Sequence, residues 1–253
     1  MRNLVVYGVG ELGKLFGGAA LRAGIRVTPV TRHANAREIL DDVGDDTPIL
    51  IAVGERELEV VLRELPTRHR MDIILLQNEL FPDSWSEHDL TPTVLVPWVL
   101  QKRGLPTQVA GRSPYIGAHA DLVAELFAVL GLPAQRLADA PALHQALVDK
   151  YTFILTINTL GLLVDRTLGM WLQEDPTLIW NICAEATQIA QALCGARADA
   201  AQARLATEQG MRALSNVPAR GRTARERVER ALAHATRLGL RVPTVASALS
   251  AAH

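Results

Sequence analysis

The sequence predicts an α/β domain built on a parallel sheet, followed by an all-helical domain. Up to about residue 118, short runs rich in β-branched residues alternate with stretches of helical period, which is typical of strands joined by crossover helices. After that point the strand pattern is lost and long alanine- and leucine-rich stretches follow. A chain of 253 residues, 49% of them apolar, can bury two modest cores. We therefore expect domains at 1–118 and 119–253.

The first domain is expected to alternate strands and helices, with glycine and proline at the boundaries. The predicted elements are strands at 3–7, 26–30, 49–53 and 72–76, helices at 12–23, 36–40 and 55–65, and late strands within 93–117, at 93–100 and 107–110. Gly24 follows the first helix, where a C-terminal glycine belongs, and Pro66 stops the third helix. A turn at Arg103-Gly104 separates the late strands.

The second domain is expected to contain helices only. They are predicted at 120–130, 142–163, 177–194, 200–213 and 222–238, with a last short helix after Pro243. Gly131, Gly195 and Gly239 follow three of these stretches as C-terminal caps.

Composition excludes several function classes. The 26 basic and 27 acidic side chains leave a net charge of −1, which gives no basic field for nucleic acid. The most apolar stretch, 153–164, is shorter than the ~20 residues of a membrane span and contains Thr156, Asn158 and Thr159. We therefore expect neither a nucleic-acid nor a membrane partner.

Cysteine and histidine usage bears on compartment and metals. The two cysteines, Cys183 and Cys194, give no disulfide framework, and the first residues show no signal peptide, so a cytoplasmic location is the simplest expectation. The seven histidines form no metal-binding pattern, and we predict no metal site. His119 is more typical of a helix start than of a site.

A glycine-rich turn follows the first strand. Gly8-Val9-Gly10-Glu11-Leu12-Gly13 matches GxGxxG and opens the first helix, so Gly8, Gly10, Glu11, Leu12 and Gly13 are candidate cofactor-binding residues of a Rossmann-type domain. The glycines allow a tight turn and close approach of a pyrophosphate to the helix N-terminus. The alternative is a glycine-rich turn without a ligand. Glu11 counts slightly against binding, because its carboxylate would repel phosphate unless it points to solvent.

The end of the second strand indicates which dinucleotide is bound. An acidic residue there would hold a ribose 2′-hydroxyl, but the sequence reads Val30-Thr31-Arg32-His33. Arg32 suits a 2′-phosphate and favours NADP over NAD. The alternative is an ordinary surface arginine in an arginine-rich chain.

One helix face in the second half carries polar residues in an apolar run. Lys150, Ile154 and Asn158 are four residues apart and share a face. A lysine beside a carbonyl can stabilise a developing alkoxide and donate a proton. The alternative places Lys150 at a solvated helix start and makes Asn158 a satisfied core amide.

Lysine is rare in this chain, which narrows the search for a proton donor. Of 26 basic residues, only Lys14, Lys102 and Lys150 are lysines. Arginine stays charged and donates protons poorly, whereas a lysine can be tuned to do so. Of the three, only Lys150 lies in an apolar helix.

These motifs together resemble the ketopantoate reductase (2-dehydropantoate 2-reductase) family along nearly the whole chain. The turn at 8–13 with Arg32 is similar to the family's NADP half, and Gln77-Asn78 to its Asn-Gly turn near the nicotinamide. The resemblance implies that Lys150 is the catalytic lysine, that Asn78 is a second catalytic residue that also contacts the cofactor near the nicotinamide, and that Asn158 binds substrate. Gly239-Leu240-Arg241-Val242-Pro243 is similar to the family's closing Gly-x-x-x-Pro.

The chain also departs from that pattern. Ile154 replaces the first of two helix asparagines, and Glu79 replaces the glycine after Asn78. The late Arg-Thr-Glu stretch, whose glutamate contacts substrate in the family, reads Arg222-Thr223-Ala224, which leaves Thr223 as the substrate-binding candidate. A site that binds a hydroxyl discriminates strongly through it, so the loss of the acid favours a substrate other than ketopantoate.

The resemblance implies an NADP-dependent oxidoreductase that reduces a small 2-oxo acid or related carbonyl, with hydride from NADPH and Lys150 as general acid. The all-helical domain would bind the substrate and close over it, and a homodimer is possible. Two alternatives stay open: an NADP(H)-binding sensor or scaffold without turnover, and a reductase of imines or opine-type conjugates.

Overall fold

A computed structural model describes residues 2–101, 104–195, 197–219, 221 and 223–252. The chain forms two compact units. The sheet unit comprises Met1–Gln108 and Arg112–Asp139, and the helical unit comprises Val109–Gly111 and Ala140–His253. The predicted order of an α/β fold followed by an all-helical one is confirmed.

The strands are, in chain order, β1 (Asn3–Tyr7), β2 (Arg26–Val30), β3 (Ile49–Ile51), β4 (Ile73–Leu75), β5 (Thr93–Leu95), β6 (Val99–Leu100), β7 (Gln108–Val109), β8 (Ser113–Ile116) and β9 (Ala134–Arg136). Seven of them form one sheet in the order β2-β1-β3-β4-β5-β8-β9. The neighbours from β2 to β5 are parallel, whereas β8 is antiparallel to β5. The sheet is therefore mostly parallel rather than wholly so.

The α-helices of the sheet unit, within the described residues, are α1 (Glu11–Arg22), α2 (Ala36–Asp42), α3 (Glu55–Glu64), α4 (Asp83–Ser86) and α5 (Ala120–Leu130). A short 3₁₀ helix lies at Thr67–His69. The late strand predicted at 93–100 divides into β5 and β6. The turn between the late strands was predicted at Arg103-Gly104. Arg103 lies outside the described residues, and the backbone of Gly104 has a φ of +76°.

Helix α5 and strand β9 belong to the sheet unit, which corrects the predicted boundary between 118 and 119. Phe127 of α5 packs on Phe16 of α1 with ring centroids 5.5 Å apart, and both rings are buried. Strand β9 then pairs with β8, so the boundary follows Asp139. The expectation that no strand follows residue 118 was wrong because Ala134-Gln135-Arg136 carries no strand signal of its own and depends on its partner.

The helical unit contains α6 (Ala140–Leu163), α7 (Leu168–Glu174), α8 (Pro176–Cys194), α9 (Ala200–Ala213), α10 (Ala224–Arg237) and α11 (Pro243–Ala251). The long helix α6 is central, since α8, α9, α10 and α11 all contact it. Within the described part of the chain, α6 alone has the length and hydropathy of a membrane span, and 78% of the relevant window is buried inside the protein. It is thus the core helix of its unit.

A buried glutamate explains the Gly-x-x-x-Pro ending. Gly239 ends α10 with a φ of +67°, and Pro243 opens α11. The carboxylate of Glu185 on α8 accepts hydrogen bonds from the backbone N–H groups of Thr244 and Val245, both at 2.9 Å. The proline needs no partner for its nitrogen and the glutamate satisfies the next two donors, so this motif fixes α11 on α8.

Candidate functional site

Two glycines of the turn at 8–13 are required by its geometry. Gly8 has a φ of +92°, and a Cβ there would lie 2.8 Å from the carbonyl oxygen of Ala52. A Cβ on Gly13 would lie 2.0 Å from the carbonyl oxygen of Gly8. The N–H of Gly8 donates to the carbonyl of Val30 at 2.9 Å, which ties the turn to the end of β2. Side chains at either position would break the turn.

The middle glycine leaves room for a ligand. Gly10 is the N-cap of α1, and an added Cβ would meet nothing within 4 Å. No side chain among the described residues caps this helix end. The N-terminal N–H groups of α1, at Glu11 and Leu12, can therefore be approached closely, and the helix dipole favours an anion there. Leu12 packs against the core with its side chain, so it would contribute its backbone. The turn thus fits a dinucleotide pyrophosphate.

Two further sequence candidates lie at the same carboxyl edge of the sheet. Arg32 follows β2, is exposed, and forms no ion pair with any residue that the structure describes. Asn78 follows β4, and its amide donates to Glu55 Oε1 at 3.5 Å. The parallel register of β1 to β4 places both residues at the edge that carries the glycine turn.

Gln77 fixes the loop that carries Asn78, a role that the sequence did not reveal. Its Nε2 donates to the carbonyl of Ile51 at 2.7 Å, and its Oε1 accepts from the N–H of Leu76 at 3.1 Å. The buried side chain therefore ties the ends of β3 and β4 together. A buried amide directly after an apolar strand was the available signal.

Lys150 lies inside the helical core, not at a solvated helix start. Helix α6 begins at Ala140, and Lys150 is only 4% exposed. Its Nζ lies 5.7 Å from the centroid of the Phe153 ring, within the range of a cation–π contact. A buried ammonium is costly unless polar or charged groups compensate for the lost water.

Asn158 is buried on the same face of α6. It is 6% exposed, and its Nδ2 donates to the carbonyl of Ile154 at 2.7 Å. Gly221 lies against it, since a Cβ on Gly221 would be 2.7 Å from Asn158 Oδ1. The amide is thus partly satisfied by its own helix, and the structure brings it together with the segment that precedes α10.

That segment carries Thr223 and the position of the missing acid. Thr223 is the exposed N-cap of α10, and its hydroxyl accepts from Arg227 Nε at 3.0 Å. Arg222 lies outside the described residues. Ala224 is 2% exposed, and Glu229, five residues further along α10, lies 4.0 Å from Arg225.

A buried acid beside Lys150 was missed in the sequence. Asp149 accepts hydrogen bonds from Gln145 Nε2 at 2.6 Å and from Gln202 Nε2 at 3.1 Å. Burial raises the pKa of its carboxyl to about 6, and these two hydrogen bonds oppose the rise. The available signal was the pair of adjacent charged residues, Asp149 and Lys150, inside an apolar helix. The sequence prediction used only the lysine.

The sheet unit holds a second buried polar cluster, away from the glycine turn in sequence. His69 Nδ1 lies 3.1 Å from Asp72 Oδ2, and His119 Nε2 lies 3.8 Å from Asp72 Oδ1. Burial lowers the pKa of His119, which precedes α5 as its N-cap. The described residues contain no group of three or more potential metal ligands. We interpret this cluster as structural.

The fold and the site define a two-unit chain, a Rossmann-type sheet unit followed by an all-helical unit. Solved structures of 2-dehydropantoate 2-reductases have this fold. The one from Geobacter metallireducens is 18% identical with a TM-score of 0.69, and the match covers 98% of both chains. The dimeric ketopantoate reductase from Staphylococcus aureus is 17% identical with a TM-score of 0.65, over 98% of this chain and 96% of that one.

A structure of D-mandelate dehydrogenase with NADH also has this fold. It is 13% identical with a TM-score of 0.67, and the match covers 100% of this chain and 98% of that one. The sequence matches no family model and no curated protein. The resemblance to ketopantoate reductases is therefore confirmed in the fold, at identities of 17% and 18% for the two structures named.

Proposed function

We propose that the protein is an NADPH-dependent reductase of a small 2-oxo acid or related carbonyl, with Lys150 as general acid. The observation that carries the proposal is the burial of Lys150, 4% exposed in the core helix of its unit. The glycine turn supports it, since Gly8 and Gly13 admit no side chain and Gly10 leaves open space. Solved structures with the same fold include a dehydrogenase with NADH and reductases of a 2-oxo acid.

The residues of the sheet unit would hold the cofactor. The N–H groups that follow Gly10 bind the pyrophosphate, and Arg32 pairs with the 2′-phosphate. Asn78, held by Glu55, orients the nicotinamide ring. When bound, NADPH supplies the hydride that reduces the carbonyl carbon.

Lys150 supplies the proton. Its ammonium stabilises the negative charge that develops on the carbonyl oxygen and then transfers a proton from Nζ to that oxygen, which completes the alcohol. A buried site strengthens this interaction because water does not screen it. Asn158 and Thr223 position the substrate. With Ala224 in place of an acid, the favoured substrate lacks a hydroxyl that needs a carboxylate partner.

The cofactor assignment is tested by titrating NADPH and NADH and following nicotinamide fluorescence. We expect NADPH binding to be detectable at protein concentrations on the order of tens of micromolar or below. Arg32→Ala should weaken NADPH about tenfold or more, as expected for a charged hydrogen bond, and leave NADH unchanged. Arg26→Ala, at the opposite end of β2, is the matched control. Absence of NADPH binding would refute the cofactor claim, and equal binding of both nucleotides would refute the role of Arg32.

The reaction is tested with a panel of 2-oxo acids that includes ketopantoate, with and without an added amine. NADPH oxidation by the wild type without amine supports ketone reduction, whereas a strict need for the amine indicates an imine or opine-type reductase. Lys150→Ala should lower kcat on the order of 10²-fold or more with NADPH binding unchanged. Lys150→Arg keeps the charge but donates a proton poorly, so it should be nearly as slow. Full activity in either variant would refute the role of Lys150.

A second candidate function is NADP(H) binding without turnover, in a sensor or scaffold. It is favoured by the apolar Ile154 and Ala224 at two positions where the resembled family has polar side chains. It predicts tight NADPH binding and no oxidation with any member of the panel. NADPH oxidation that depends on a substrate would exclude it.

The setting of the enzyme follows from the same proposal. We propose a cytoplasmic enzyme that acts on a small-molecule substrate and has neither a nucleic-acid nor a membrane partner. One solved structure with this fold is described as dimeric, so a homodimer is the oligomer to test, by light scattering. A monomer at every concentration would refute it.

A further inference from the structure

One polar cluster joins the core helix α6 to the N-terminus of α9. Asp149 Oδ1 accepts from Gln145 Nε2 at 2.6 Å, and Asp149 Oδ2 accepts from Gln202 Nε2 at 3.1 Å. Gln145 Oε1 in turn accepts from the backbone N–H of Asp199, the N-cap of α9, at 2.6 Å. We call the four residues Gln145, Asp149, Asp199 and Gln202 the α6–α9 clasp.

The clasp supplies directional contacts, its hydrogen bonds, between α6 and α9. The buried face of α9 consists of Ala203, Thr207, Gly210 and Met211. The Thr207 hydroxyl donates to the carbonyl of Ala203 within its own helix. Contacts of small and apolar groups are not directional. Hydrogen bonds have fixed distances and angles, and buried polar groups are known to set helix register.

Lys150 directly follows the acid of the clasp, so its position depends on the register of α6. An ammonium at the end of a lysine lies roughly 8 Å from the helix axis, and a rotation of α6 by roughly 10° moves it about 1 Å. A displacement of about 1 Å in an active site can lower the rate on the order of 10²-fold.

We infer that the α6–α9 clasp positions Lys150, with Asp149 and Gln202 as positioning residues that contact neither substrate nor cofactor. This inference rests on the proposed function of Lys150. Asp149 anchors α6 to α9 through Gln202 and holds the Gln145 side chain within α6, and Gln145 in turn anchors α6 to the backbone of the α9 N-cap. Helices α8, α10 and α11 also pack on α6, and Thr152 of α6 hydrogen-bonds Thr187 of α8 at 3.3 Å. The clasp adds the polar link to α9 next to Lys150, and this link sets where the lysine ammonium lies.

The rarity of lysine makes the position of Lys150 measurable without a substrate. The chain has three lysines, so ¹³C labelling of lysine Cε gives three signals in an NMR spectrum, and the Lys150→Met variant identifies the one from Lys150. Because Nζ lies 5.7 Å from the Phe153 ring, the ring current of that phenyl group shifts this signal according to its position.

Four variants separate positioning from general stability. Asp149→Leu removes both acceptors and keeps the branched shape of the side chain, and Gln202→Leu removes the side-chain donor on α9 without changing α6. Asp149→Asn keeps the shape, and its amide can pair with Gln145 and with Gln202 once the Gln202 amide turns over. The matched control is Gln191→Leu, which removes an amide that donates to the carbonyl of Ala198 at 2.7 Å and has no partner on α6 among the described contacts.

We expect the Lys150 signal to move in Asp149→Leu and Gln202→Leu, and to stay in place in Asp149→Asn and Gln191→Leu. With a 2-oxo acid that the wild type reduces, the first two variants should lose about tenfold or more in kcat, with KM for NADPH changed less than about twofold. Asp149→Asn should recover most of kcat.

An unmoved Lys150 signal in folded Asp149→Leu or Gln202→Leu overturns the inference, as does an equal shift in the control. If Asp149→Leu does not fold, Gln202→Leu decides alone. If the wild type reduces no 2-oxo acid, the proposed function fails, while the lysine spectra still show whether the clasp sets the register of α6.

Discussion

Asp149 makes the stability of the helical unit depend on pH in a way that its amide variant removes. In the folded protein, burial raises the pKa of this carboxyl from 3.8 to about 6. In the unfolded chain the Asp149 carboxyl loses its proton near its ordinary pKa of 3.8. Between these two values the folded state holds one proton more than the unfolded state, so stability falls as pH rises.

The magnitude follows from the size of the pKa difference. A shift of roughly two units corresponds to about 3 kcal/mol in the free energy of unfolding, taken as an order of magnitude. The destabilisation is fully present above about pH 6 and is lost as pH falls toward about 4. Asp149→Asn cannot titrate, so its hydrogen bonds add only a constant offset.

The assay is urea unfolding of wild type and Asp149→Asn from about pH 4 to about pH 7.5, followed by far-ultraviolet circular dichroism and tryptophan fluorescence. All other titrating groups are shared and largely cancel in the difference between the two proteins. Relative to the variant, the wild type should gain about 3 kcal/mol in stability on going from the upper to the lower pH. A difference that stays flat, or that runs the other way, refutes the reasoning.

Three further predictions concern other parts of the chain. Gly13→Ala should abolish NADPH binding and lower the melting temperature, because its Cβ would lie 2.0 Å from the carbonyl oxygen of Gly8. Gly10→Ala should weaken NADPH binding with little change in melting temperature, because a Cβ there meets nothing within 4 Å. Equal melting temperatures of the two variants would contradict this. Glu185→Gln should cost about 1–2 kcal/mol in urea unfolding, since one amide oxygen replaces a carboxylate that accepts two N–H groups of α11, and an unchanged midpoint would contradict it. Burial lowers the pKa of His119, so as pH drops below the ordinary value of 6.5 the unfolded chain takes up a proton before the folded one and stability falls. His119→Gln should lose this acid sensitivity in the same unfolding series. An identical pH dependence in both proteins would argue against it.

Most of the fold was predictable because its elements have strong local signals. The first strand and the helix at 120–130 were predicted at their observed bounds, since apolar periodicity and flanking glycines define both. Strand β9 was not predictable, because its three residues become a strand only by pairing with β8. The domain boundary was misplaced for a related reason: the packing of Phe127 on Phe16 joins residues far apart in sequence.

The sequence predicts the residue types of the candidate site but reveals fewer of the contacts that support them. The glycine turn could be recognised from the sequence alone, because each of its three glycines has a distinct steric role in a dinucleotide-binding turn. The burial of Lys150 could not be known from spacing, since the alternative of a solvated helix start fits the same residues. The roles of Gln77 and Asp149 depend on partners on other elements, and such contacts leave no local signal.

The central claim is that Lys150 protonates a carbonyl that NADPH reduces. The most direct test is the steady-state rate of NADPH oxidation with the 2-oxo acid panel, in wild type, Lys150→Ala and Lys150→Arg, with NADPH affinity measured on the same samples. We expect the wild type to oxidise NADPH with at least one 2-oxo acid, and both variants to bind NADPH normally but turn over on the order of 10²-fold more slowly. Unchanged turnover in the variants, or no turnover with any acid by an NADPH-bound wild type, would contradict the claim.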